Sequence, residues 1–350
     1  MKVLLVAHDT APSAVLARLA SELRALGLEV LEILGHGKPL MHSYADIEKS
    51  VLESQAVVLG MSSSEELSKE EIHAARTAFQ EAIPYGFYAD TYDCQFRPWF
   101  DGLKSGASFL FVINQEEGRK AKKLFHRAEI VVSGNPLWED FHFPRVSYEE
   151  VRQRFGVKPE EIMVLCPGGK SLAVNMLHFS GVIEAVGFSK LSTLKRCKIF
   201  LALHPGDLNS KSAYDDLVAF SPIPVVVITK EVMSVSDLVS GSDMVVESAS
   251  TVGIEAAHQR KPVINYFSEL ALQRLEKVSG SREWMPCKLG VAAEVRGSPQ
   301  ELGLRMYKLL IMNEFIPMRI RQEEMYPRPS VKGTALRLMR EVIMHKILDI

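Results

Sequence analysis

The chain has 350 residues, 47% of them hydrophobic and 24% charged, with a formal net charge of −2. This length exceeds what one core usually sustains, so two domains are expected, and the near-neutral charge argues against a nucleic-acid binder. No apolar run approaches the roughly 18–20 residues that span a bilayer. Cys94, Cys166, Cys197 and Cys287 show no paired spacing, so they read as core hydrophobes in a reducing, cytoplasmic setting, with neither zinc site nor disulfide framework.

In chain order, Val3 to Ala7 reads as a buried strand rather than a signal peptide, because Asp9 follows at once and no cleavage site appears. Pro12 and Ser13 then open a helix with apolar positions at Val15, Leu16, Leu19, Leu23 and Leu26, and Gly27 stops it before a strand from Leu28 to Leu34. The rhythm continues with a helix near Asp46 to Glu53, a strand from Ala56 to Gly60, a helix from Lys69 to Gln80 and a strand from Tyr85 to Ala89. A helix around Pro98 to Lys104 precedes strands at Phe109 to Ile113 and Ile130 to Val132, and Pro144 to Lys158 reads as a connection with one short helix inside it. Strands that are apolar throughout, rather than alternating, predict parallel sheets covered on both faces.

The second half restarts at Ile162 to Cys166, ended by Pro167-Gly168-Gly169-Lys170, with a helix from about Val174 to Val186. Strands follow at Lys198 to Leu203, ended by His204-Pro205-Gly206-Asp207, and at Val225 to Thr229, then a short helix around Ser234 to Ser240. Asp243 to Tyr266 predicts a strand, a turn of small hydroxyl residues (Ser248, Ser250, Thr251), a helix carrying Glu255 and another strand. Such a strand, turn and helix N-terminus can form an anion site, with free backbone N–H groups and the helix dipole converging on it. The rest reads as mostly helical, with helices near Leu302 to Met312 and Thr334 to Leu348.

Ligands of open parallel sheets bind beyond the carboxyl ends of the strands. In the second half those places hold Gly168, Gly169 and Lys170, then His204, then Ser248, Ser250 and Thr251, a set that suits a diphosphate. In the first half they hold His8 and Asp9, and Asp90 and Asp93, which suit a base acting on a hydroxyl group. Each also has a plainer reading. Pro167 to Lys170 lacks the Walker A spacing and is as readily a turn, Asp9 is as readily a helix cap, and His178 on its apolar helix reads as a packing residue. Asp90 and Asp93 lack local partners for a metal site. The basic run Arg119, Lys120, Lys122 and Lys123 reads as a solvated helix face, with contact to anionic lipid as its alternative.

Taken together, VVESASTVGIEAAHQRKPVINY, VLCPGGKSL, VVSGNPLWEDF and LALHPGD resemble segments of the GT-B glycosyltransferases, the superfamily that includes the UDP-N-acetylglucosamine 2-epimerases. The pattern is most similar to the peptidoglycan N-acetylglucosaminyltransferase and lipid A disaccharide synthase. The turn departs from it at Glu247-Ser248-Ala249-Ser250, where many relatives have a glycine. The resemblance implies an α/β fold of two facing Rossmann-like domains. Residues 1–148 would form the acceptor side, 149–326 would bind the nucleotide sugar, and 327–350 would form a C-terminal helix, with a crossing back to the first domain as one option.

It further implies metal-independent transfer of a sugar from a nucleotide diphosphate sugar, a UDP-sugar first, to a glycan or lipid-linked acceptor in the interdomain cleft. Such activity belongs to cell-envelope glycan synthesis in the cytoplasm, with peripheral membrane contact as an option. No cofactor is expected besides the nucleotide sugar as substrate. The nucleotide would be held by Gly168, Gly169, Lys170, His204, Ser248, Ser250 and Thr251, with Glu255 on the ribose. Asp9 or His8, or else Asp90 or Asp93, would serve as base. Epimerisation of a sugar nucleotide, and nucleotide-sugar binding without catalysis, are the alternative readings.

Overall fold

The computed structural model describes residues 1–189, 196–207, 209 and 211–348. The chain forms two compact units, one of Met1–Asp140 with Pro329–Ile350, the other of Phe141–Arg328.

The first unit is a six-stranded parallel sheet of β1 (Lys2–Ala7), β2 (Glu29–Leu34), β3 (Ala56–Gly60), β4 (Tyr85–Tyr88), β5 (Phe109–Val112) and β6 (Glu129–Val132), in the order β2-β1-β3-β4-β5-β6. Strands β1, β3, β4 and β5 are buried almost throughout, as their continuous Val, Leu and Phe content requires once helices cover both faces. On one face Val15, Leu16 and Leu19 of the helix Thr10–Ala25 pack with Met339, Ile343 and Ile347 of the helix Thr334–Leu348 over Val3, Leu5 and Val58. That last helix is fixed at its start by Glu139, whose carboxylate accepts the N–H groups of Gly333, Thr334 (3.0 Å) and Ala335 (2.8 Å). A carboxylate at a helix N-terminus satisfies donors that lack intrahelical partners and meets the positive end of the dipole.

The second unit repeats the plan with β7 (Ile162–Pro167), β8 (Cys197–Ala202), β9 (Val225–Ile228), β10 (Met244–Glu247), β11 (Val263–Tyr266) and β12 (Ala293–Val295), ordered β12-β11-β10-β7-β8-β9. Counted from β7 as the first strand, this is the 3-2-1-4-5-6 order of doubly wound nucleotide-binding domains. The strand order reverses between β7 and β10, which pair in parallel through Met244 with Val164 and Val245 with Leu165. Strand β12 falls where the sequence reads as mostly helical; with three residues, one of them Glu294, it carries too short an apolar run to register. Local start signals are accurate elsewhere. Ser43 with Asp46 and Ser147 with Glu150 form reciprocal capping boxes, and Ser234, Ser268 and Ser298 each cap a helix through the side-chain oxygen. Among the described residues no helix is long and apolar enough to cross a membrane.

Candidate functional site

The crevice where β7 and β10 diverge is the place at which an open α/β sheet exposes backbone without covering helices. Here it holds a cavity of about 480 Å³, within the range of small-ligand sites. It is lined by Gly168, Gly169 and Lys170 after β7, His204 after β8, and Ser248, Ser250 and Thr251 after β10. Those seven residues, spread in sequence from Gly168 to Thr251, are therefore brought together.

Asn175 builds the floor. Its side-chain oxygen accepts the Gly169 N–H at 2.7 Å, and its NH₂ donates to the Gly169 carbonyl at 2.9 Å and to Asp207 at 3.1 Å. The Tyr214 hydroxyl donates to the same Asp207 carboxylate at 2.6 Å. The loops after β7 and β8 are thereby locked to each other by a buried amide. His204 accepts the Gly206 N–H on Nδ1 at 2.8 Å, so the neutral ring carries its proton on Nε2. Burial and, secondly, the Lys170 ammonium hold its pKa below the usual imidazole range.

The sequence missed three contributors: Asn175, Arg274 and Trp284. Arg274 lies on the helix Glu269–Ser279, which follows β11, and it also depresses His204, so the two cations and this ring share one region. Applying the strand-end rule to β11 as well would have pointed to that helix. Trp284, Leu275, Ala271 and Val174 form an apolar wall opposite. No carboxylate lines the cavity, and among the described residues neither Lys170 nor Arg274 forms an ion pair. Uncompensated cations, a neutral imidazole N–H and three hydroxyls define a receptor for an anionic, oxygen-rich group.

The turn itself differs from the expected cradle of free N–H groups. Ala249 donates its N–H to Asn265 Oδ1 at 3.2 Å, Ser250 donates its N–H to Glu247, and Val252 donates to the Ser250 hydroxyl at 3.2 Å. These three amides are occupied inside the fold. Glu247 is fully buried, and burial raises its pKa to about 8 against the opposing Ser250 hydrogen bond.

Glu255 does not line the cavity. It is 6% exposed, accepts the Ser236 hydroxyl at 2.9 Å, and is pushed up to about 7 by burial. His178 does line it, but its buried ring bonds the Val246 carbonyl through Nε2 at 3.1 Å, and burial lowers its pKa to about 4.

In the first unit the corresponding order reversal lies between β1 and β3. Asp9 accepts the Ser63 N–H at 2.7 Å and gives its own N–H to the Ser62 hydroxyl at 3.1 Å. Ser62 in turn donates its hydroxyl to buried Glu71 at 2.7 Å, and the His8 N–H reaches the same carboxylate at 3.2 Å. Glu71 is raised to about 7 by burial. The His8 ring lies 3.8 Å from Glu70. Asp90, 9% exposed, accepts a long 3.6 Å contact from the Cys94 thiol and a hydrogen bond from its own backbone N–H; burial lifts it to about 6, with Arg97 opposing. Asp93 is bound to Lys120 at 2.7 Å, and that ion pair occupies it. Lys120 also reaches Glu117, and Arg119 pairs with Glu116, so half of the basic run is neutralised locally.

No protein-family model and no curated protein matches the chain. Solved structures do. MurG from Acinetobacter baumannii aligns with a TM-score of 0.63 at 12% identity, over 98% of this chain and 99% of that one. UDP-GlcNAc 2-epimerase from Neisseria meningitidis bound to UDP-GlcNAc gives 0.57 at 13% identity, over 99% and 100%. A glycosyltransferase from Rickettsia africae gives 0.58 at 13% identity, over 99% and 98%. Likeness at this level of identity shows the fold: the chain shares the two-domain α/β fold of these proteins. Within that architecture the similar proteins divide between transferases and epimerases.

Proposed function

We propose that the second unit binds a nucleoside diphosphate sugar, a UDP-sugar first, and that the chain transfers the sugar to a hydroxyl acceptor. The observation that carries this is the carboxylate-free cavity at the β7/β10 reversal, where Lys170, Arg274, the His204 Nε2–H and the Ser248, Ser250 and Thr251 hydroxyls converge. The choice of uridine is supported by the names of similar structures, which include a 2-epimerase bound to UDP-GlcNAc.

In the transfer, the acceptor O–H gives its proton to a carboxylate while its oxygen bonds to the anomeric carbon. The bond from that carbon to the diphosphate oxygen breaks, and the diphosphate leaves with the electron pair. Lys170 and Arg274 would meet that developing charge in fixed positions, which is the larger part of such catalysis. Asp90 is the preferred base among the first unit's candidates, because neither an ion pair nor another residue's backbone N–H engages its carboxylate among the described residues and its pKa lies near the working range. Asp9 and His8 are secondary choices, and Asp93 is disfavoured by its ion pair with Lys120. Glu255 keeps the ribose role only if the nucleotide displaces the Ser236 hydroxyl from it.

Epimerisation is the second reading. Burial first, and the nearby Asp9 carboxylate in addition, raise the proton affinity of Glu71 and Asp90, which supplies more than one acid–base group. Incubating the protein with UDP-GlcNAc and following the products by NMR separates the two. Transfer predicts UDP release that depends on an added glycan or lipid-linked alcohol, with unreacted donor keeping its configuration. Accumulation of the C2 epimer without acceptor contradicts transfer.

A further inference from the structure

Ala249 occupies the left-handed region at φ +51, which an L-residue enters at a steric cost that glycine escapes. It lies between two cavity-lining hydroxyl residues, Ser248 and Ser250, so its backbone direction sets where both point. Two neighbouring amides are tied to buried side chains from adjacent strands: Ala249 N–H to Asn265 at the end of β11, and Ser250 N–H to Glu247 at the end of β10. Both acceptors are fully buried.

The helix leaves room for one of them at a specific place. A Cβ on Gly253 would stand 2.5 Å from Glu247 Oε1 and 3.0 Å from its carboxyl carbon. Gly253 sits inside the helix Thr251–His258, where glycine is unfavourable by propensity, so its presence is explained by the carboxylate it admits. A carboxyl group buried under this turn is costly even though burial favours its protonated form, and it is retained where it accepts the Ser250 N–H.

We infer that Glu247 and Asn265 are positioning residues that hold the Ser248–Thr251 turn in its ligand-binding shape, doing by hydrogen bonding what a glycine at position 249 would do by conformational freedom. The inference rests on the nucleotide-binding reading only for its effect on affinity; the effect on the turn is independent of any ligand. Their role is indirect: each acts on the hydroxyls of Ser248 and Ser250 through the backbone between them.

The test is a double-mutant cycle of Asn265→Ala with Ala249→Gly, read by UDP calorimetry and by thermal unfolding without ligand. Asn265→Ala should weaken UDP binding by about tenfold, and adding Ala249→Gly should restore most of it, since glycine needs no tether. Unfolding should show the same coupling, with Ala249→Gly raising the melting temperature more in the Asn265→Ala background than in the wild type. Glu247→Gln, which keeps an acceptor for Ser250 N–H, should retain affinity where Glu247→Ala loses it. Additive effects in the melting-temperature cycle would overturn the inference, as would equal UDP affinity of Asn265→Ala and wild type. Failure of the wild type to bind UDP would instead strike the nucleotide reading, while the unfolding cycle would still decide the positioning role.

Discussion

Asp90 is the residue whose chemistry is most directly exposed to titration. Its raised pKa of about 6 arises from burial, with Arg97 pulling the other way. A general base must be deprotonated, so the sign is fixed: activity should be full above that value and fall as pH drops through it. The pH profile of kcat/KM for sugar transfer should therefore show an acidic limb near pH 6, and Asp90→Asn should lose activity by roughly 10²–10⁴-fold together with that limb. An unchanged limb in Asp90→Asn would move the base to Asp9 or His8. At this scale the sequence was informative about residue type and silent about commitment. Asp9, Asp90 and Asp93 look alike as carboxylates after strands, yet only the folded chain shows that Ser63 N–H occupies Asp9 and that Lys120 occupies Asp93. Glu255 matched a motif by its distance along a helix, while the contact that engages it comes from Ser236, nineteen residues earlier.

Elements were more legible than residues because their signals are local and repeated. Continuous apolar runs marked β1, β3, β5, β7, β8 and β10, and Ser-x-x-Asp/Glu patterns coincide with helix starts at Ser43, Ser147, Ser234 and Ser298. Strand β12 was missed because three residues carry no periodicity. The helix Thr251–His258 illustrates where local rules give the wrong sign. Alanine ordinarily stabilises a helix interior relative to glycine by about 1 kcal/mol. At position 253 the new Cβ would meet the buried Glu247 carboxylate, which has little room to withdraw. Gly253→Ala should therefore lower the melting temperature by about 2–4 °C, measured by calorimetry, rather than raise it. A higher melting temperature would mean that the carboxylate relocates freely and that the turn does not depend on it.

For the whole molecule, the repetition of one plan explains why architecture could be read from sequence. Two sheets, each reversing strand order once, arise from two runs of strand–helix–strand units, and each reversal gathers loop residues far apart in the chain. The first unit is discontinuous in sequence, since residues 329–350 return to it and pack Met339, Ile343 and Ile347 onto the Thr10–Ala25 helix. What sequence could not supply is the convergence of Asn175 and Trp284 on the second unit's cavity beside Arg274, because neither has a motif of its own, whereas the helix of Arg274 follows a strand end. That convergence changes the expected site from a nest of backbone N–H groups to one built from cations, hydroxyls and a neutral histidine. A receptor of that kind should depend steeply on its cations. Calorimetric titration with UDP of the wild type beside Lys170→Ala and Arg274→Ala tests this directly. The wild type should bind UDP saturably and one to one, and each variant should lose tenfold or more in affinity, at about 1.4 kcal/mol per tenfold. Absence of binding by the wild type, or equal affinity in all three proteins, would contradict it.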